Sequence, residues 1–338
     1  MEARVAGVKN IAVIGAGMAG LACSQALQQA GFLVTVFEKS RGPSGRVSTR
    51  VGEGWQCDHG AQYFTVTEPA FEAQVQKWRK AGVVAEWEAH LYETDGAALQ
   101  AKQSAKTRYV GVPKNTSPAR HMAEALTVEL EQTVDAITFA DGQWRVRSKE
   151  HGVYPQVFDK VVLAIPAPQA KALLTAHPAF EALAGGVTMR GCWALMARYA
   201  QPLALPFDGL FVNEGPLSWL ARDSSKPGRL SANSAVQEVW SIHANPIWSE
   251  ANLERAPEAV AQDMLAAFVT LGGQQPDAYS IHRWRYADCA HYLQQAYAWD
   301  AAQQLGLCGD WLNGGKVQGA WMSGHALALA MIGACAAP

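Results

Sequence analysis

The 338 residues are enough for one large domain or two interleaved ones with a substantial core. Hydrophobic residues at 49% and charged residues at 17% give the balance of an ordinary globular protein, and a net charge of −2 leaves no electrostatic case for nucleic acid or an anionic membrane surface. Six scattered cysteines with no CxxC spacing suggest neither a zinc site nor a redox dithiol, so no metal is expected. With no leader ahead of the first apolar strand, the expectation is a reduced, cytoplasmic protein.

In chain order, Lys9-Asn-Ile-Ala-Val-Ile14 is a short β-branched run, the pattern of a strand buried on both faces. Gly15-Ala-Gly-Met-Ala-Gly20 follows and opens a helical stretch, Leu21 to Ala30, before a second strand at Leu33-Val-Thr-Val-Phe37 ending in Glu38. The stretch Ile11 to Ala30 is apolar enough to resemble a membrane span. Its early glycines and its Gln25, Gln28 and Gln29 fit instead a helix packed on a sheet. The turn has the dinucleotide pattern. Gly15 permits the tight turn, Gly17 lets backbone approach a pyrophosphate, and Gly20 lets helix and strand pack. The helix N-terminus offers N–H groups to phosphate, and Glu38, about twenty residues on, can accept from ribose hydroxyls. An acid there disfavours a 2′-phosphate, which leaves NAD and FAD open.

Further along, Pro69 to Lys80 reads as a helix with Phe71, Val75 and Trp78 on one face, and Ser117-Pro118 starts another helix expected to run to about Leu130. Asp141-Gly142 between Ala136–Phe139 and Trp144–Arg147 is a hairpin signal, and Lys160 to Ile165 is a buried strand. From about Thr188 to Arg285, short strands are expected around Met196, Leu217, Val239 and Ile281, mostly antiparallel, with one helix over about Glu254 to Leu271. Near the end, Leu307-Cys-Gly-Asp-Trp311 and Gly314-Gly-Lys-Val-Gln-Gly-Ala-Trp321 read as a strand followed by a helix starting near Gly319. This second helix N-terminus is more than NAD requires and suits the longer FAD.

The set Gly15–Gly20, Glu38, Ser44-Gly45-Arg46, Asp58-His-Gly-Ala-Gln-Tyr-Phe64, Gly309-Asp-Trp311 and Val317-Gln-Gly-Ala-Trp321 resembles the FAD-dependent amine-oxidase superfamily. Within it, Gly60-Ala-Gln-Tyr-Phe64, Trp219-Leu-Ala-Arg-Asp-Ser-Ser-Lys-Pro-Gly-Arg229 and His282-Arg-Trp-Arg-Tyr286 resemble renalase-type flavoproteins, particularly bacterial ones, over about residues 9–334. The fold implied is α/β: a Rossmann-type FAD-binding domain (1–64, 119–172, 296–338) interleaved with a smaller α+β substrate domain (65–118, 173–295). The cofactor implied is non-covalent FAD. Gly15, Ala16, Gly17, Met18, Ala19 and Gly20 would hold its pyrophosphate, Glu38 and Lys39 its ribose end, and Arg46 a phosphate. Gly60, Ala61, Gln62 and Tyr63 would approach the flavin, Val134 the adenine, Gly309 and Asp310 the ribityl chain, and Gly319 and Ala320 the pyrimidine edge. The family usually has Gly-Gly before the arginine, where this chain has Ser44-Gly45. That departure puts the backbone approach at position 44 in question.

Substrate-site residues are weighed against plainer roles. Most of the twelve tryptophans suit packing, while Trp284 and Trp321 stand in the family blocks as pocket candidates. Alternation places Val239, Ser241 and His243 on one strand face. His243 is either an ordinary strand histidine or a hydrogen-bond partner of the substrate. Arg222, Lys226 and Arg229 read as a solvated turn more readily than as a phosphate grip for a nucleotide, and Asp58 reads as structural. No Ser/His/Asp constellation is identifiable. Gln62, Tyr63, His243 and Trp284 are the expected pocket residues, with the flavin carrying the chemistry.

The resemblance implies an oxidase that takes hydride from a small dihydropyridine, an isomeric dihydro-NAD(P) returned as NAD(P)+, and reduces dioxygen to hydrogen peroxide. A flavin amine oxidase or desaturase on a small amine is the alternative, and a flavin-binding protein without turnover is a third reading. The expected partners are a small substrate and O2, without nucleic acid or membrane.

Overall fold

The computed structural model describes residues 9–229 and 235–336; residues 1–8, 230–234 and 337–338 of the expected domain spans, and the side chain of Cys335, lie outside the described part. The chain divides into two units. One comprises Met1–Gly45, Ala119–Thr188 and Cys289–Pro338, the other Arg46–Pro118 and Met189–Asp288. The second unit is no smaller than the first, against the expectation of a smaller substrate domain, and Arg46–Phe64 groups with it.

In the first unit a six-stranded sheet runs Ala298–Asp300, Leu305–Leu307, Lys160–Leu163, Asn10–Ile14, Leu33–Phe37, Thr127–Glu129. All neighbours are parallel except Ala298–Asp300, which lies antiparallel on one edge. Ile11, Ala12 and Val13 are fully buried, as the unbroken apolar run requires of a central parallel strand. The chain leaves Asn10–Ile14 for Leu33–Phe37 on one side and returns through Lys160–Leu163 on the other. The carboxyl ends of these strands therefore form a topological switch point, where open α/β sheets bind ligands.

The helix Met18–Gln29 connects the first two strands. Its glutamines act as expected of a soluble face: Gln25 and Gln28 donate to the carbonyls of Met122 and Ala125 at 3.0 and 2.7 Å. No described helix is long and apolar enough to cross a membrane. The long helix Lys316–Ala336 packs on Met18–Gln29, and a Cβ at Gly324 would collide with the Ala19 carbonyl. Glycine at 324 is therefore what allows the two backbones to meet.

The Asp141-Gly142 hairpin forms as expected between Val134–Ala140 and Gln143–Ser148, with φ of 55° and 76° at the two turn residues, the pattern of a type I′ turn. The helix expected over 117–130 is shorter. It covers Ser117–Ala123, after which Thr127–Glu129 pairs with Leu33–Phe37 as the sheet edge. The alternating Thr-Val-Glu and the open sheet edge outweigh the helical reading there.

The second unit is built on a seven-stranded sheet, in the order Ala278–Cys289, Met189–Tyr199, Glu238–Ala244, Leu217–Arg222, Gly209–Val212, Leu91–Thr94, Gln100–Ala101. Gly209–Val212 with Leu91–Thr94 is a parallel pair inside the expected antiparallel block. The strands around Met196 and Ile281 are long rather than short. The helix expected over about Glu254 to Leu271 forms as Pro257–Thr270, and a further short helix, Pro246–Ala251, precedes it. Asn245 caps the short helix, its side chain accepting from the N–H groups of Ile247 and Trp248, a start signal the apolar pattern hides. Val260, Met264 and Phe268 of the longer helix pack with Trp240 and Ile242 in the core. This fixes which way Glu238–Ala244 faces and turns Val239, Ser241 and His243 to the opposite side. The helix Pro69–Lys80 buries Phe71, Val75 and Trp78, as its periodicity predicts.

Candidate functional site

In the first unit the glycine turn stands at the switch point. Gly15 has φ +106°, its N–H donates to the Phe37 carbonyl at 2.8 Å, and a Cβ there would lie 2.6 Å from the Ala164 oxygen. Gly17 is the N-cap of Met18–Gln29, without a side-chain cap, and no acidic residue sits in the first turn. A Cβ at Gly17 would meet nothing within 4 Å, so no protein atom packs against that side of the helix end. Glu38 is buried at 6% exposure, and its carboxylate accepts from the N–H groups of Ala16 and Ser40, each at 2.9 Å. It thus ties the turn to the end of the second strand. A carboxylate has about four lone-pair sites, which leaves Glu38 able to accept from a diol.

Ser44 answers the question its place raised. It takes φ +145°, in the region that favours glycine, and its N–H donates to the Ala16 carbonyl at 3.0 Å. Ser44 thus takes a conformation that glycine adopts readily, buried beside Gly17. Lys39 is exposed. Val134 opens its strand two residues after Gln132, whose N–H donates to the Glu38 carbonyl at 2.9 Å.

Cys308 donates from its N–H to the Leu163 carbonyl at 3.1 Å, which brings Gly309 and Asp310 to the same sheet edge. The Asp310 carbonyl accepts from Asn313 and Gly315, and the helix begins at Lys316, one turn before the expected start, with Gly319 and Ala320 in its first turns. Gly319 has a local reason as well: a Cβ there would collide with the Asn313 carbonyl. Trp321 is buried and stacks on His325 at 4.8 Å.

In the second unit the segment after Cys57 and the strand face carrying His243 build a polar cluster. Four charged side chains lie together, each without exposure: Asp58, Asp223, Lys226 and Arg229. Lys226 Nζ is 3.1 Å from Asp58 Oδ2 and 2.7 Å from Asp223 Oδ1, and Arg229 Nη2 is 2.6 Å from Asp58 Oδ2. Arg229 Nη1 also donates to the carbonyls of Gly111, Pro113 and Pro227 at 2.8, 2.8 and 3.1 Å. Thr49 and the Asn115 N–H complete Asp58 at 2.6 and 3.2 Å.

This corrects the reading of Lys226 and Arg229. Lys226-Pro-Gly228 does form a turn, but its lysine and the following arginine point inward and are neutralised, so they form neither a solvated loop nor a phosphate grip. Arg222 is likewise paired, 3.6 Å from both Asp208 and Glu238. Asp58 is structural, as expected. Burial works against its ionisation, but Lys226 and Arg229 outweigh that and hold it low, whereas burial and then the charge of Asp58 push Asp223 up.

The cluster reaches the expected pocket residues through Gln62. Its Oε1 accepts from Lys226 at 3.3 Å, its Nε2 donates to the carbonyls of Asp58 and Gly60 at 2.5 and 3.1 Å, and Nε2 lies 3.3 Å from His243 Nε2. His243 is cross-strand from Trp219, which is cross-strand from Phe211, so the three rings share one sheet face. A bulge between Leu217 and Trp219 adjusts that face. Tyr63 packs on Trp219 with centroids 5.6 Å apart, under the Arg108 guanidinium at 5.0 Å.

Trp284 donates to the His59 carbonyl at 2.8 Å and stacks on the His59 ring at 5.3 Å, with His282 edge-on at 4.9 Å. His59, inside the Asp58–Phe64 motif, has a buried Nδ1 without a hydrogen-bond partner. Burial, then His282 and Arg50, push His59 down to about 3, and burial, then Lys226, push His243 down to about 4. Both are neutral at physiological pH.

Arg46 donates to the Ala287 carbonyl at 3.1 Å, and the Ala61 N–H donates to the Arg46 carbonyl at 2.9 Å. A Cβ at Gly60 would collide with that same carbonyl, so this glycine has a packing reason. Asn115, unmarked in the sequence, donates to the Ala61 carbonyl at 2.7 Å. Among the described residues no group of three or more His, Cys, Asp and Glu side chains is arranged to hold a metal.

Residues 13–78 match the model of NAD(P)-binding Rossmann-like domains, and residues 91–332 match that of flavin containing amine oxidoreductases. The chain belongs to the flavin-containing amine oxidoreductase family. An L-amino-acid oxidase of Daboia russelii is 48% identical over 54 residues, which are 15% of this chain and 11% of that protein. The chain thus spans about a tenth of the length of the curated relatives it matches.

Among solved structures, a putative protoporphyrinogen oxidase from Exiguobacterium superposes with a TM-score of 0.77 at 14% identity, covering 96% of this chain and 99% of that one. Cyclohexylamine oxidase from Brevibacterium oxydans superposes with 0.73 at 11% identity, covering 98% and 100%. At these identities the likeness is one of fold, and it bears out the α/β Rossmann-type reading. The first unit fits FAD: the helix after Gly17 starts without a side-chain cap, nothing packs against the Cα of Gly17 on its Cβ side, and an oriented, buried carboxylate stands beside the turn at Glu38.

Proposed function

We propose that the protein is an oxidase for a small, flat, neutral hydride donor, a dihydropyridine such as an isomeric dihydro-NAD(P), returned as NAD(P)+ while dioxygen becomes hydrogen peroxide. The observation that carries this reading is the sheet face around His243. Phe211, Trp219 and His243 stand side by side with Tyr63 packed on Trp219, and the nearby carboxylates of Asp58 and Asp223 are already matched by Lys226 and Arg229. Flat rings without spare negative charge suit an uncharged aromatic donor better than an alkylammonium.

FAD, when bound, takes up the hydride and passes the electrons to oxygen. The residues hold and orient. Gly15, Ala16, Gly17, Met18, Ala19 and Gly20 would hold the pyrophosphate, Glu38 the ribose, Arg46 a phosphate and Val134 the adenine. Gly309 and Asp310 would hold the ribityl chain, and Gly319 and Ala320 the pyrimidine edge. Gln62, Tyr63, His243 and Trp284 would face the donor. Expulsion of hydride from a dihydropyridine is driven by the ring nitrogen lone pair and the aromaticity gained, so no protein base is required. A buried His59 and a half-buried His243, both neutral, are consistent with that.

The second reading, oxidation of a small amine, is favoured by the family itself. The pH dependence of flavin reduction separates them. An amine must lose its proton first, so its rate would climb by about tenfold per pH unit below an amine pKa near that of lysine. For a dihydropyridine the rate should stay flat from pH 6 to 9, because His59 and His243 have released their protons by about 3 and about 4. A steep rise across that range would favour the amine.

A further inference from the structure

We propose that Lys226, fixed by Asp58 and Asp223, is a positioning residue that orients the Gln62 amide and thereby locks His243 in the neutral form with its hydrogen on Nδ1 and a bare Nε2. The inference concerns the same sheet face as the proposed function but holds for either hydride donor.

An ammonium has three N–H groups and accepts nothing. Those of Lys226 meet Asp58 Oδ2 at 3.1 Å, Asp223 Oδ1 at 2.7 Å and the Gln62 amide at 3.3 Å. The amide must therefore turn its oxygen to Lys226. The other end agrees independently, since it faces the carbonyl oxygens of Asp58 and Gly60, which only accept, at 2.5 and 3.1 Å. That end is the NH2. The amide nitrogen has two hydrogens for three neighbours and accepts nothing, so one hydrogen is shared between the Gly60 carbonyl and His243 Nε2, 3.3 Å away, and the imidazole meets it as an acceptor.

A neutral imidazole with a bare Nε2 carries its hydrogen on Nδ1. The surroundings favour the neutral ring. Burial and the Lys226 ammonium oppose a second positive charge, and Asp58 and Asp223 are engaged by Lys226 and Arg229. The four buried ions thus do more than hold two segments together. They set the polarity of a hydrogen-bond chain, Lys226 to Gln62 to His243, that leaves His243 a rigid neutral ring and removes it as a proton acceptor for the substrate.

The test is nitrogen NMR of FAD-loaded protein labelled with 15N-histidine, the His243 signals being those lost in His243→Asn. The expected wild-type spectrum has His243 as the Nδ1–H form, unchanged from pH 6 to 9. Lys226→Arg should keep that spectrum. Gln62→Glu places an acceptor where the NH2 stood, opposite a lysine that can pair with it, and should move a hydrogen onto His243 Nε2. A wild-type His243 carrying its hydrogen on Nε2, or titrating between pH 6 and 9, would overturn the proposal. So would a Gln62→Glu spectrum in which Nε2 stays bare. The wild-type spectrum decides the first point whether or not the variants fold.

Discussion

Arg229→Met should cost the fold about 3–5 kcal/mol, the loss expected when one partner of a buried ion network is removed and the others stay behind. Asp58, Asp223, Lys226 and Arg229 balance as two charges of each sign with no exposure to water. Without the guanidinium, a net negative charge remains in a site that water cannot reach, and the carbonyls of Gly111, Pro113 and Pro227 lose their donor. Methionine keeps much of the volume, so the loss reports charge and hydrogen bonds more than a cavity.

The deficit should also depend on pH. Asp223 is the carboxyl that burial and Asp58 push up, so it is the one that takes a proton when the cation goes. A folded state that binds the proton more tightly than the unfolded chain gains stability as pH falls and loses it as pH rises. The destabilisation should therefore be smaller at pH 5 than at pH 8. Asp58→Asn combined with Arg229→Met restores neutrality and should recover part of the loss. Chemical denaturation at a fixed excess of FAD measures all three; equal stability of Arg229→Met and wild type would contradict a buried network.

Glu38→Ala should weaken FAD binding by about 1.5–3 kcal/mol through loss of charge-assisted hydrogen bonds to the ribose. The structure adds a second consequence. The Glu38 carboxylate also accepts from the N–H groups of Ala16 and Ser40, so alanine removes a strut of the glycine turn as well as a ligand. Glu38→Gln keeps one acceptor oxygen and should fall between alanine and wild type. Equilibrium titration of apoprotein with FAD checks the order, and unchanged affinity in Glu38→Ala would remove Glu38 from the cofactor site. Protein still loaded with FAD should be reduced at nearly the wild-type rate, because Glu38 stands at the glycine turn and not on the His243 face.

The parts of this molecule that were legible in the sequence are those where function and local geometry coincide. Gly15–Gly20 between two β-branched runs declares strand, turn and helix within one short window, and Asp141-Gly142 declares its hairpin in two residues. The edge strand Thr127–Glu129 was not legible, since it depends on Leu33–Phe37 offering a free edge, which no local window records. The ion cluster is the sharper case. Lys226-Pro-Gly228 carries every local mark of a solvated turn, and it is a turn. Its lysine is turned inward by Asp58, 168 residues away in sequence.

Other residues had two reasons to be where they are. Gly60 and Gly319 fit a cofactor-binding reading, yet each also sits against a carbonyl, of Arg46 and Asn313 respectively, that leaves no room for a side chain. Ser44 shows the reverse: a non-glycine in a glycine conformation, held by its own N–H bond to the Ala16 carbonyl. His59 was hidden because its surroundings, Trp284 and His282, come from a strand far along the chain.

The most direct test of the account is anaerobic mixing of the FAD-loaded protein with candidate donors while the flavin absorbance is followed. The account predicts rapid, stoichiometric bleaching by isomeric dihydronicotinamides, negligible bleaching by simple primary amines, and recovery of the colour with hydrogen peroxide when oxygen is admitted. Robust bleaching by a primary amine, with none by the dihydronicotinamides, would contradict it.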